Sequence, residues 1–255
     1  MWTKLYNFGL FGYFCEGKSF SGIELGLLCA VSTILIIATS YALGSISTSI
    51  IISKMTFGDD VRRHGSGNAG ATNMLRTYGK KSAVLTLLGD LLKTVIAVFI
   101  GRLIGFPLEF CAVDGAVLTP VSFGGYIAGL FAVIGHTYPV YHKFRGGKGV
   151  ICAATVVAML SPRVFFAIFI IFLIIVLGTK FVSLGSVICV MIYPILLDRI
   201  YGHSICTIIA LTIAALVVYN HRENIKRLLD GKENKISVGK KDKKNTTDTT
   251  NETED

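Results

Sequence analysis

Seven apolar runs separated by short polar turns dominate the chain, at 24–54, 82–104, 121–139, 149–160, 163–178, 181–197 and 204–219. A helix needs about 20 apolar residues to cross a hydrocarbon layer about 30 Å thick. The run at 149–160 is too short, since twelve helical residues rise only about 18 Å. It is predicted to be a half-helix or part of a re-entrant unit, because irregular backbone at membrane depth persists only where protein or a watery cavity surrounds it. The pattern predicts an all-α, polytopic membrane helical bundle with about seven transmembrane segments, the half-helix included. A five-span arrangement, with the fourth and fifth runs handled differently, is the alternative. Residues 1–22, rich in aromatics but poor in aliphatics, read as an N-terminal interfacial extension rather than a span. Residues 23–230 form the membrane-embedded domain. Residues 231–255 are polar, charged and without aromatics, so they are expected to be a disordered cytoplasmic tail. Removal of 233–255 is then expected to matter little.

Charge orients the bundle. The turn at 56–81 holds Arg62, Arg63, Arg76, Lys80 and Lys81, and the turn at 140–148 holds Lys143, Arg145 and Lys148. Lys180 separates the fifth and sixth runs, and the tail is lysine-rich. The turn at 105–120 instead carries Glu109 and Asp114, with neither lysine nor arginine. The positive-inside rule then puts the basic turns in the cytoplasm, the N-terminus outside and the C-terminus inside.

Composition narrows the class further. Only 16% of the 255 residues are charged and 52% are hydrophobic, whereas a soluble domain carries roughly a quarter charged residues. The net charge of +9 resides in turns and tail. No soluble basic face is visible, which argues against nucleic acid as a partner. Six cysteines occur without a C-x-x-C pair, mostly within apolar runs, and read as small buried hydrophobes rather than disulfides or metal ligands.

Three polar stretches carry candidate chemistry. "HGSGNAGATNMLR" at 64–76 contains G-x-G-x-x-G, with Asp90 about twenty residues beyond it. No apolar strand precedes it, so it is not read as a dinucleotide fingerprint. Asp90 and Lys93 are spaced to pair on one helix face instead. "FRGGKGV" at 144–150 is not a triphosphate loop: histidine stands where the first Walker glycine belongs, and glycine follows Lys148. Yet glycines let backbone N–H groups approach a phosphate, and a helix start adds partial positive charge. Gly146, Gly147 and Gly149, with Arg145 and Lys148, therefore read as a phosphate cradle before the short helix. In "HRENIKRLL" at 221–229, His221 and Asn224 share a helix face, and Glu223 is spaced to pair with Arg227. A transporter for a phosphorylated solute would also suit half-helices and anion-binding glycines, but no internal repeat is visible and the polar stretches sit at one surface.

The stretches "GSGNAGATNMLRTYGKK", "GHTYPVYHKFRGGKGV", "KFVSLGS" and "YNHRENIKRLLDG", in that order, resemble the motif set of the bacterial acyl-phosphate:glycerol-3-phosphate acyltransferases. The resemblance runs from about residue 38 to 232. It implies acyl transfer from acyl phosphate to the 1-hydroxyl of glycerol 3-phosphate, giving lysophosphatidic acid and phosphate, with no cofactor and no metal. It also implies the inner (plasma) membrane of a bacterial cell, active-site loops on the cytoplasmic side, membrane lipid as surroundings and an acyl-phosphate-producing enzyme as a partner. By matched position, Ser66 and Arg76 are the essential pair of the first motif, and Asn68, Thr72 and Asn73 are donors beside them. Gly146, Gly147 and Gly149 resemble the glycerol 3-phosphate loop, with Lys148 its charge, and Ser183 matches the serine of "VSL". His221 and Asn224 match the functional pair of the last motif, with Glu223 as its structural acid. Either His221 or a substrate phosphate takes the hydroxyl proton, an orienting His221 being the favoured reading. The His-x4-Asp pair typical of acyl-CoA-using acyltransferases is absent.

Overall fold

The computed structural model describes residues 9–11, 13–15, 17–105, 120–202 and 205–236. Their regular secondary structure is helical, without a strand among them. The helices are α1 (Gly22–Gly44), α2 (Thr48–Phe57), α3 (Ala71–Ile104), α4 (Pro120–Thr137), α5 (Val150–Leu160), α6 (Pro162–Thr179), α7 (Val182–Tyr201), α8 (Ile205–Asn220) and α9 (Arg222–Leu229). Most of the N-terminal extension's first half, the acidic turn with Glu109 and Asp114, and the tail from 237 lie outside the described residues.

Local chemistry explains the helix ends. Ser21 caps α1, and Glu24 reaches back to the Ser21 backbone, a reciprocal capping box. Gly58 ends α2 with φ 66, a left-handed conformation that costs glycine little. Pro162 opens α6, where its missing N–H costs nothing.

Two expected boundaries move. The apolar run at 24–54 is not one helix but breaks between α1 and α2, where Val140 N–H donates to the Ser45 hydroxyl at 3.3 Å and Lys93 Nζ donates to the Ile46 carbonyl at 2.6 Å. Hydropathy could not register these long-range partners. The second apolar run, expected to begin near 82, lies in a helix, α3, that extends back to Ala71 across a kink at Gly79. Thr72, Asn73 and Arg76, read as loop residues, therefore lie in the first turns of a helix.

α4 packs between α1 and α3 through glycines. A Cβ on Gly44 would strike the Ala132 backbone, and one on Gly101 or Gly124 would strike the facing helix. Small residues at such crossings let backbones approach, which is how helices associate where lipid removes the hydrophobic drive between them. A second apolar core joins α4 to α5, α7 and α8, with Val133, Val156, Tyr193, Leu197 and Ile213 buried in it. The outward face of α6 is apolar instead, with Phe166, Ile170, Ile174 and Leu177 exposed at helical spacing.

Four helical units are long and apolar enough to cross a membrane: Gly22–Phe57 taken together, α3, α6 and α7. The pair α8 and α9, bent by 58°, makes a fifth if it is one span. α5 is a short apolar helix, as its run of residues predicted. The all-helical membrane bundle therefore stands, while among the described residues only four or five units reach the length and apolarity of a crossing, not seven.

Candidate active site

The turn after α2 folds around one asparagine. Asn73 Nδ2 donates to the carbonyls of Val61, His64 and Asn68 at 3.0–3.1 Å, and Asn73 Oδ1 accepts the Ser66 N–H at 2.9 Å. Its two N–H groups already serve three acceptors. Asn73, expected as a donor beside the substrate, is thus the knot of the loop, with its amide hydrogens engaged by the protein. Gly65 adopts φ +58, and a Cβ there would collide with Asn73 Oδ1. The knot places Ser66, Asn68, Thr72 and Arg76 along one wall of a cavity of about 320 Å³. Arg76 is exposed, and among the described residues neither a carboxylate nor a carbonyl holds its guanidinium.

Arg62 staples this turn to the next. It grips Asp60 through Nε at 3.0 Å and Nη2 at 2.7 Å, and its Nη1 donates to the carbonyls of His142 and Arg145, both at 2.9 Å. In the glycine-rich turn, Gly146 N–H donates to the Thr137 carbonyl and Gly147 N–H to the His136 carbonyl, each at 3.1 Å. The N–H groups of the two glycines expected to form the cradle are thus engaged by α4 carbonyls. Glycine is needed there because a Cβ on Gly146 would collide with the His136 carbonyl, and one on Gly147 with the His136 ring. Arg145 is exposed and does not line the cavity, whereas Lys148 and Gly149 do.

The opposite wall comes from α7, the α8–α9 junction and the chain that follows. Ser183, His221, Asn224 and Arg227 line it. His221 sits at the bend, and its Nδ1 lies 2.7 Å from the Val217 carbonyl. A carbonyl only accepts, so Nδ1 carries the proton there and Nε2 is left with the lone pair in the neutral ring. Lys148 Nζ donates to Asn224 Oδ1. Burial, reinforced by nearby Arg227 and Arg76, draws the Lys148 pKa down to about 8.

Glu233 was missed in the sequence. Its carboxylate accepts from Ser183 Oγ at 2.9 Å, Asn224 Nδ2 at 2.7 Å and Arg227 Nε at 2.8 Å. Burial opposes its charge, but these three donors outweigh that cost and hold its pKa below the usual carboxylate value. Arg227 pairs with Glu233 and not with Glu223, the partner its spacing predicted; Glu223 is exposed. Residues 231–236, expected to open a passive tail, instead fold back along α7, with Ile236 N–H donating to the Lys180 carbonyl at 2.9 Å. A lone acid in a lysine-rich stretch gives no periodicity by which to find it. Asp90 and His136 also line the cavity. Asp90 and Lys93 pair at 2.9 Å, as their spacing suggested, while His136 closes an apolar run and carried no signal.

An apolar pocket of about 210 Å³, lined by α5, α6 and α7 with Val217 of α8, adjoins this cavity. Val150, Ile151, Phe172 and Ser186 line both. The whole is a cationic, donor-rich chamber opening onto a greasy one.

A family model described as glycerol-3-phosphate acyltransferase matches residues 34–231. A glycerol-3-phosphate acyltransferase of Clostridioides difficile is 42% identical over 209 residues, covering 82% of this chain and 98% of that one. Another from Syntrophomonas wolfei is 42% identical over 197 residues, covering 77% of this chain and 93% of its own. Among solved structures, PlsY (YgiH), an integral membrane glycerol 3-phosphate acyltransferase, is similar in its glycerol 3-phosphate form, with a TM-score of 0.69 and 36% identity over 81% of this chain and 96% of that one. Its lysophosphatidic acid form gives a TM-score of 0.66 at 35% identity, with the same coverage.

Proposed function

The chain belongs to the glycerol-3-phosphate acyltransferase family, and from that premise we propose that it transfers the acyl group of an acyl phosphate to the 1-hydroxyl of sn-glycerol 3-phosphate. Lysophosphatidic acid and inorganic phosphate leave, the first acylation of phospholipid synthesis. One observation carries this reading: a donor-rich cavity shares a wall with an apolar pocket, so a phosphorylated headgroup and an acyl chain meet at their junction.

The step balances without further reagents. The hydroxyl oxygen attacks the acyl carbonyl, the ester C–O bond forms and the carbonyl–phosphate bond breaks. The hydroxyl proton passes to the departing phosphate, either directly or through His221 Nε2. Two phosphates share the chamber, so fixed cations are its main requirement. Arg76, whose guanidinium no carboxylate or carbonyl among the described residues holds, suits one phosphate in a forked, two-bond grip. Lys148, with N–H donors beyond the one given to Asn224, and the second Nδ2 hydrogen of Asn224 suit the other, while Ser183, whose proton goes to Glu233, holds the wall behind them. Ser66, Asn68 and Thr72 offer hydroxyl and amide donors at the mouth. Gly149, at φ +83, turns the chain into α5 and exposes that helix start to the same space.

In this reading the protein lies in the inner membrane with its C-terminus and basic turns in the cytoplasm and its N-terminus outside. The seven-crossing arrangement then requires α4, α5 and the α8–α9 bend to complete the bundle. Water-soluble glycerol 3-phosphate enters from the cytoplasm, acyl phosphate arrives within the lipid, and an enzyme that makes acyl phosphate is the natural neighbour.

The test uses purified protein in detergent, supplied with palmitoyl phosphate and glycerol 3-phosphate. Lysophosphatidate and phosphate should appear in equal amounts, with palmitoyl-CoA a far poorer donor. Absence of product from palmitoyl phosphate, or faster transfer from palmitoyl-CoA, would overturn the reading.

A further inference from the structure

Three ionisable side chains are buried together behind the glycine-rich turn: Asp90 and Lys93 on α3 and His136 on α4, exposed by 2%, 5% and 6%. Charged groups within an apolar bundle are costly and persist where they pair or serve a site. Lys93 Nζ donates to the Ile46 carbonyl at 2.6 Å, contacts Asp90 Oδ1 at 2.9 Å and lies 3.0 Å from His136 Nδ1. An ammonium has three N–H donors. All three face these partners, and Asp90 Oδ1 also lies 3.6 Å from His136 Nδ1. Thr48 Oγ1 adds a bond to Asp90 Oδ1 at 3.3 Å. The plane of the His136 ring is thus fixed from one side by a charge that is itself fixed.

The other side of that ring abuts Gly147, where even a Cβ would collide with Nε2. The His136 carbonyl accepts the Gly147 N–H, and the neighbouring Thr137 carbonyl accepts the Gly146 N–H, each at 3.1 Å. The next residue is Lys148, whose ammonium reaches Asn224 across the cavity. From the buried charge to the catalytic cation, every link is a direct contact.

We infer that the Asp90–Lys93–His136 cluster is a positioning device for the glycerol 3-phosphate site, setting the height of the Gly146–Gly147 turn against α4 and so the reach of Lys148. It rests on the acyltransferase reading for its substrate. It goes beyond that reading in giving a catalytic purpose to charges that touch no reacting atom. An ordinary packing role would need only apolar side chains of similar volume. The cluster instead joins the α1–α2 break, α3, α4 and the glycine turn at one point, and Asp90 and His136 reach the cavity wall.

Two measurements test it in full-length protein. In Lys93→Met, the freed His136 ring loosens the turn. The KM for glycerol 3-phosphate should rise about tenfold or more, since displacing a reacting partner by about 1 Å costs up to the order of a hundredfold. The KM for acyl phosphate should stay within about twofold. Equal loss for both substrates, or loss of folded protein with unchanged KM in what remains, overturns the inference. The second measurement is a double-mutant cycle between Gly147→Ala and His136→Ala, which isolates their coupling. Gly147→Ala alone should lower the melting temperature and raise the KM for glycerol 3-phosphate. His136→Ala removes the colliding ring, so adding Gly147→Ala in that background should cost at least about fivefold less. Independent, multiplicative effects overturn the inference even if Lys93→Met does not fold. The melting-temperature arm needs no turnover. Wild-type protein that makes no lysophosphatidate therefore sinks the functional reading, whereas uncoupled mutants sink this one.

Discussion

Arg76 and Lys148, the two cations proposed to bind anions, sit in different surroundings. Arg76 stands exposed, and among the described residues no carboxylate or carbonyl holds its guanidinium, so it contributes little to the fold and suits the proposed phosphate role. Arg76→Ala should lower kcat/KM by about a hundredfold to a thousandfold, the cost typical of removing a donor from a developing charge. The melting temperature should stay within about 2 °C of wild type; a large fall would show that Arg76 holds structure. Lys148 is half-buried and near two arginines, and its pKa is drawn down to about 8. The sign follows directly: below that pH the ammonium is charged, and above it the seat loses its cation. Phosphate monoesters complete their second ionisation near pH 6, so the substrate's charge does not change in that window. The kcat/KM for glycerol 3-phosphate should therefore fall as pH rises through about 8. Lys148→Arg should move that fall to higher pH, since a guanidinium does not titrate there. An unshifted profile in the arginine variant would assign the titration elsewhere. At this scale the sequence showed residue types but not commitments. Ser66, Arg76, Lys148, Ser183, His221 and Asn224 meet around one cavity, as their motifs suggested. Asn73 looked equally available until its amide proved engaged by three carbonyls.

The helices place these residues by being interrupted. α1 gives way to α2 at Ser45–Ser47, α3 kinks at Gly79, and α8 bends by 58° into α9 at His221. Each break frees backbone polar groups, which must find partners away from water. At the first break the Ile46 carbonyl finds Lys93 and the Ser45 hydroxyl accepts the Val140 N–H, and at the last bend the His221 ring adds a bond to the Val217 carbonyl. The segment after α9 behaves as part of the site, since Glu233 gathers Ser183, Asn224 and Arg227 into one wall. A chain ending at residue 236 should keep wild-type turnover. One ending at 232 releases three donors from a buried carboxylate and should lose at least about tenfold in kcat/KM, as deletion of a shared charged partner does. Equal activity in the two truncations would return Glu233 to a passive tail.

Across the whole molecule, three polar segments separated by as much as 155 positions, from Ser66 to His221, converge at one end of the bundle. An anionic, water-soluble substrate must reach that end without crossing lipid. Single cysteines at 66, 148 and 221, introduced into a variant lacking the native cysteines, should all react with a membrane-impermeant maleimide in inverted membrane vesicles and not in right-side-out ones. One position labelling from the other side would separate the walls of the cavity and break the proposed site. The same experiment decides whether the basic turns face the cytoplasm.

Hydrophobic spacing determined that this is a helical membrane protein and that the helix near 150–160 is short, and charge spacing determined that Asp90 pairs with Lys93, because each is a local property of one stretch of chain. The motif residues likewise supply most of the polar side chains that line the cavity. Tertiary structure decided the rest: the break at Ser45, the turning of the Gly146 and Gly147 N–H groups toward α4, the closure of His136 on Lys93, and the recruitment of Glu233 to Arg227 in place of Glu223. In every one of those cases a polar group buried away from water chose its partner by distance in space, and sequence separation carries no record of that distance.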